Sequence, residues 1–161
     1  MVAPKRVDDI FIDSFGVTIH YHRWSPKATP RAVIQLAHGL GEHALRYEGL
    51  VAKLVSEGFE VWADEHRGHG ATGLEQWEGN LTKLGKLGSG GMPATVAAIR
   101  AFTGIICQER PGIPLFFLGH SWGSIIGQII LNQGGASDYE GVILTGTAYR
   151  MPGFMYSGDL N

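Results

Sequence analysis

The stretch Pro114–Ile130, "PLFFLGHSWGSIIGQII", changes character at its middle, and that change decides the fold. Its first part is a short continuous apolar run, as in a buried strand. Its second part sets Trp122, Ile125, Ile126, Ile129 and Ile130 on one stripe of a helix. Between them stands Gly119-His120-Ser121-Trp122-Gly123, a serine with glycine two residues to either side. A strand-to-helix turn of the form G-x-S-x-G can expose a strained serine as a nucleophile. With 24 glycines among 161 residues, the pattern alone is weak evidence. Its placement before the cleanest amphipathic helix of the chain makes Ser121 a candidate nucleophile. The positive end of that helix would favour a developing alkoxide.

The same alternation extends outward. "RAVIQLAH" (31–38), "FEVWAD" (59–64) and "YEGVILTG" (139–146) are apolar runs of strand length. Tyr47, Leu50, Val51, Leu54 and Val55 form a helical stripe closed by Gly58, which suits the residue after a helix end. Pro93 suits the first position of a second helix running to about Gln108. Residues 71–91 are glycine-rich and aperiodic and are predicted to be loop. From Arg31 onward the order strand, helix, strand, helix, strand, helix, strand predicts an α/β fold, a mostly parallel sheet with helices on both faces. Residues 7–24 add two alternating strands around Phe15-Gly16, a hairpin-like extension at one edge. The sheet would thus have about six strands. No repeat or linker divides the chain, and residues 147–161 show no periodicity. Ligands of such sheets bind beyond the carboxyl ends of the strands. The glycine turns at 39–41, 67–70 and 119–123 fall at those ends and should meet in one crevice.

Composition narrows the function classes. A formal net charge of −2 with thinly spread Lys and Arg speaks against nucleic acid as a partner. The single cysteine, Cys107, excludes an internal disulfide framework and suits a reducing compartment. Lying in the apolar "AFTGIICQ", it is predicted to be buried. The N-terminal stretch "MVAPKRVDDIFIDS" has no secretory signal character, and no apolar run reaches the ~20 residues that span a bilayer. The predicted location is cytoplasmic.

Acyl transfer through Ser121 also needs donors for a tetrahedral oxyanion. The Trp122 N–H, next after the serine, is one. "HGLG" (38–41) supplies the other, because Gly39 and Gly41 let the backbone present the Leu40 N–H. Together, "HGLGEH", "RYEGLVAKLVSEGFEVWADEHRGHG" and "PLFFLGHSWGS" resemble the α/β-hydrolase superfamily. More narrowly, they resemble its monoacylglycerol lipase and lysophospholipase branch, often grouped with serine aminopeptidases. The resemblance runs from about Phe15 to Thr147. It implies a carboxylic ester hydrolase working through an acyl-enzyme, with no cofactor and no metal, on a long-chain monoacylglycerol or lysophospholipid. It makes His38, Gly39, Gly41, Gly119, His120 and Gly123 the residues that shape the site. Glu65 departs from the Asp that relatives commonly carry before the His-Arg-Gly-His-Gly turn.

The base is the difficulty. All seven histidines (His20, His22, His38, His43, His66, His69 and His120) lie before Ser121, whereas the triad order of this superfamily puts the histidine last. His66 and His69 are the only upstream candidates for a substitute, and Asp138, Glu140 and Asp159 complete nothing without a histidine. Residues 1–161 are therefore expected to be the N-terminal half of one α/β-hydrolase domain, ending about where a helical cap would begin. The acid and histidine are expected outside this chain, on a second polypeptide or in a missing remainder. Any membrane contact would come through that cap. A non-catalytic scaffold with the same fold is an alternative.

Two rivals come from other classes. "HGLGEHA" contains G-x-G-x-x-A (Gly39, Gly41, Ala44), and Asp64 ends the next strand where a ribose-binding acid of a dinucleotide site would fall. Against it, His38 separates strand from glycine and the serine turn is left unexplained. The histidines match no zinc spacing, and "GKLGSGG" lacks the glycine of a nucleotide loop.

Overall fold

A computed structural model describes residues 4–148. The aperiodic tail beyond, with Asp159, lies outside the described residues. A six-stranded sheet runs β1(Arg6–Ile12), β2(Thr18–Trp24), β4(Phe59–Asp64), β3(Ala32–Ala37), β5(Leu115–His120), β6(Gly141–Thr145) across its width. β3 pairs in parallel with β4 and β5, and β5 with β6, while β1 and β2 form the antiparallel edge. This is the α/β sheet expected from the alternation, with the hairpin where it was placed.

Helices cover both faces because β3 and β5 send apolar side chains both ways. On one face Ile34 and Leu36 pack with Val51 of α1(Glu48–Ser56). On the other, Val33 meets Phe102 and Ile106 of α3(Gly91–Glu109). There Phe117 meets Trp122, Ile126 and Ile130 of α4(Trp122–Asn132). β3 is buried along its whole length. Its one polar side chain, Gln35, bonds Ile99 O at 3.2 Å and accepts from Thr103 Oγ1 at 2.8 Å. Among the described residues, no helix is long and apolar enough to cross a membrane.

Three local expectations need correction. Residues 71–91 are not all loop: α2(Gly70–Gln76) and a 3-10 turn at Leu81–Lys83 lie there. α2 carries two glycines and little intrinsic helix propensity, so tertiary contacts must hold it. Thr72 Oγ1 accepts the His20 N–H at 2.9 Å, and His20 Nε2 meets Glu75 at 2.6 Å. α3 begins at Gly91, making Pro93 its third residue, where an amide would still lack an intrahelical partner. Cys107 is exposed, because Ile99, Phe102, Thr103 and Ile106 form the buried stripe of α3 and Cys107 falls off it.

Candidate active site

β5 ends and α4 begins around one residue of unusual conformation. Ser121 has φ 51° and ψ −113°, and only one other described non-glycine residue, Glu78, has positive φ. Such a backbone costs ~1–3 kcal/mol and persists only where its surroundings impose it. Here its N–H donates to Thr145 O at 2.8 Å, and its carbonyl accepts the Ser124 and Ile125 amides at 3.0 and 3.2 Å. The flanking glycines are needed for closeness. A Cβ on Gly119 would stand 2.6 Å from Gly123 O, and one on Gly123 would stand 2.2 Å from Ala37 O. Strand, turn and helix therefore pack backbone to backbone, leaving Ser121 at the rim with no hydrogen bond to its Oγ among the described residues.

The turn after β3 lies against this serine, as a Cβ built on Gly39 would sit 3.4 Å from Ser121 Cβ. Gly41 takes the left-handed region, φ 71°. Among the described residues, no protein acceptor engages the Leu40 or Trp122 N–H. Glu42 braces the turn: its Oε2 accepts the Gly39 N–H at 3.1 Å and the Tyr47 hydroxyl at 2.6 Å. The Tyr47 bond, with the Gly39 amide, holds the Glu42 carboxyl below its ordinary range. Burial and that carboxylate push the Tyr47 phenol up. Sequence reasoning missed this pair, although Glu42 stands three residues after Gly39, within the quoted motif.

The histidines are mostly committed elsewhere. His38 is buried and donates from Nδ1 to Gly39 O at 2.8 Å, and burial drives its pKa well below 6.5. His66 Nδ1 meets Asp64 Oδ2 at 2.7 Å and its Nε2 meets His38 O at 3.2 Å. His69 donates from Nδ1 to Arg67 O at 2.9 Å and lies 5.2 Å from the Trp122 ring, tilted 30° from it. Its Nε2 and Trp122 Nε1 are buried without a partner among the described residues. His120 meets Thr145 Oγ1 at 3.0 Å. His22 bridges two carboxylates, Asp8 at 2.7 Å and Glu65 at 3.0 Å. The His66 and His69 side chains are thus held inside the protein, and neither bonds Ser121 Oγ. Asp64, the residue that a ribose would need, is buried and paired with His66.

Burial lowers the His69 pKa from 6.5 to about 4. As pH falls through that window, the unfolded chain binds a proton that folded His69 refuses, so its contribution to stability is complete above 6.5 and lost towards 4. His38 acts in the same direction. His22 is opposed by burial, but its bonds to Glu65 and Asp8 win and raise its pKa. Its contribution is complete below 6.5 and fades as pH rises through the raised value. We predict that the urea midpoint drops between pH 7 and pH 5, and drops less in His69→Gln. Equal drops in the two proteins would remove His69 from the account.

Comparison with known proteins identifies relatives of the whole chain. Residues 28–157 match the family described as serine aminopeptidase, S33. The monoacylglycerol lipase of Mycolicibacterium smegmatis is 35% identical over 150 residues, covering 92% of this chain and 49% of that protein. The human monoglyceride lipase is 32% identical over 71% of this chain and 35% of its own length. Among solved structures, a thermostable carboxyl esterase from Bacillus coagulans superposes with a TM-score of 0.81 at 31% identity, covering 91% of this chain and 46% of that one. A soluble variant of the Saccharomyces cerevisiae monoglyceride lipase shares the fold, with a TM-score of 0.74 at 24% identity over 99% of this chain and 50% of that one. The chain spans half or less of the length of these relatives. Each neighbour holds its matched and remaining parts in one chain, so the expected second polypeptide finds no support there.

Proposed function

The chain belongs to the serine aminopeptidase S33 family of α/β-hydrolases, and on that premise we propose that it cleaves carboxylic esters through an acyl-enzyme on Ser121. One observation carries this proposal: the strained Ser121 packs against the Gly39 turn, and among the described residues no protein acceptor engages the Leu40 or Trp122 N–H. Ser121 Oγ attacks the ester carbonyl, and the Leu40 and Trp122 N–H groups hold the oxyanion that forms. A histidine outside residues 1–161, oriented by an acid also outside them, takes the serine proton and returns it to the leaving alcohol. Water then releases the acyl group by the same route. Gly119, Gly123, Gly39 and Gly41 allow the close backbone approach, while His38 and His120 brace the turns from either side.

Residues 1–161 would then form the N-terminal part of a single hydrolase domain, with cap, acid and base supplied by further sequence. The relatives named monoacylglycerol lipase and monoglyceride lipase favour a monoacylglycerol as substrate. The lone exposed Cys107 suits a reducing, cytoplasmic setting. The test is a fluorophosphonate probe on the protein purified from its native source, followed by peptide mapping. Label on Ser121 is expected. An unlabelled Ser121 would overturn the acyl-enzyme and leave the non-catalytic scaffold.

A further inference from the structure

Two consecutive peptide groups of the turn beside Ser121 are gripped by side chains. The His38 carbonyl faces His66 Nε2 at 3.2 Å, and the Gly39 N–H of the same peptide donates to Glu42 at 3.1 Å. In the next peptide, the Gly39 carbonyl accepts from His38 Nδ1 at 2.8 Å and from the Glu42 N–H at 3.3 Å. A trans peptide is planar, with its N–H opposite its C=O. Anchoring the Gly39 oxygen on the buried His38 ring therefore turns the Leu40 N–H away from the histidines and leaves it free.

The partners limit where the protons sit. His38 Nε2 accepts the His66 backbone N–H at 3.1 Å, so His38 is neutral and carries its proton on Nδ1. His66 has an acceptor at each ring nitrogen: the Asp64 carboxylate at 2.7 Å and the His38 carbonyl at 3.2 Å. A neutral imidazole has one N–H and cannot donate to both, so either His66 carries two ring protons or Asp64 is protonated and donates to Nδ1. The pair is sealed from water, with side chains 0% and 2% exposed. Among the described residues, the ionisable groups near His66 include Asp64 at the end of β4, His38 stacked at 3.8 Å, His69 from its own loop, and the buried neighbours Glu65 and Arg67. α4 presents Trp122 edge-on at 5.5 Å, which does not titrate.

We propose that Asp64 holds His66 as an imidazolium, and that His66 is a positioning residue that sets the turn presenting the Leu40 N–H to the oxyanion. The purpose of that positioning rests on Ser121 being the nucleophile, whereas the proton assignment does not. Asp64 and His66 touch no reacting atom. They act through the His38 carbonyl and the His38 ring.

Ring-nitrogen NMR on 15N-labelled protein tests this. One histidine signal, identified by its loss in His66→Gln, should show a proton on both ring nitrogens at neutral pH. His38 should show one on Nδ1 alone. Asp64→Asn should remove one proton from His66, move the Leu40 amide resonance, and slow fluorophosphonate labelling of Ser121 by about 10²-fold. A singly protonated His66 in the unaltered protein overturns the proposal without any variant having to fold. An unmoved Leu40 amide in a folded Asp64→Asn variant does so as well. If Ser121 of the unaltered protein takes no label while both ring protons are present, the acyl-enzyme fails and the proton assignment stands.

Discussion

A Ser121→Ala variant is expected to lose essentially all ester turnover, a fall on the order of 10⁶-fold in kcat, while keeping its fold. The loss is large because, in the proposed mechanism, the Ser121 hydroxyl is the attacking group. Stability should barely change, since among the described residues no hydrogen bond to Ser121 Oγ is lost and alanine inherits the same strained backbone, φ 51°. Ser121→Gly separates the two effects. Glycine tolerates positive φ, so relief of strain should outweigh its greater freedom when unfolded, for a net gain of about 1 kcal/mol. An inactive but more stable Ser121→Gly would show that strain is maintained for function. The measurements are hydrolysis of a soluble ester and urea unfolding of the three proteins. Turnover surviving in Ser121→Ala would refute the nucleophile assignment, and a Gly variant less stable than the parent would refute the strain.

The second large effect concerns stability. Asp13→Ala should cost about 3–5 kcal/mol, because it strands a buried guanidinium. Arg67 is 1% exposed and is satisfied at three points: Asp13, Leu87 O at 3.0 Å and Ser89 O at 2.7 Å. Asp13 also accepts the Phe15 and Val17 amides at 2.8 and 3.0 Å, so its loss opens the β1–β2 turn. Removing both charges in Asp13→Ala/Arg67→Met should cost clearly less than the sum of the single changes, as the stranded charge is gone. The Arg6–Asp8 pair is a control, being 35% and 54% exposed and worth under about 1 kcal/mol. Urea midpoints for the four variants decide it. An Asp13→Ala cost below that of breaking Arg6–Asp8 would mean the guanidinium finds other partners.

Much of the architecture was legible in local pattern. "FEVWAD" predicted β4 to the residue, and the apolar run around Val33 predicted a strand buried on both faces, while the run around Phe117 predicted a strand that is buried on one face and half-buried on the other. The Trp122–Ile130 stripe predicted α4, and the glycines about Ser121 pointed to the close packing found there. α2 was not legible because Gly-Ala-Thr-Gly carries almost no helical preference of its own. It is held through Thr72 and Glu75 by His20, 52 and 55 positions away, which no short window of sequence joins to them. Cys107 misled because an apolar neighbourhood says nothing about which side of a helix faces out.

The sequence by itself determined the order of strands and helices and the place of the serine, since apolar periodicity and turn residues act over a few positions. It also determined that no histidine follows Ser121 within these residues. Only the tertiary structure decided which buried polar groups meet. His66 reaches His38 across 28 positions and Arg67 reaches Asp13 across 54. Such partners have no periodic signature. They are selected when the closing fold excludes water and each buried donor must find an acceptor.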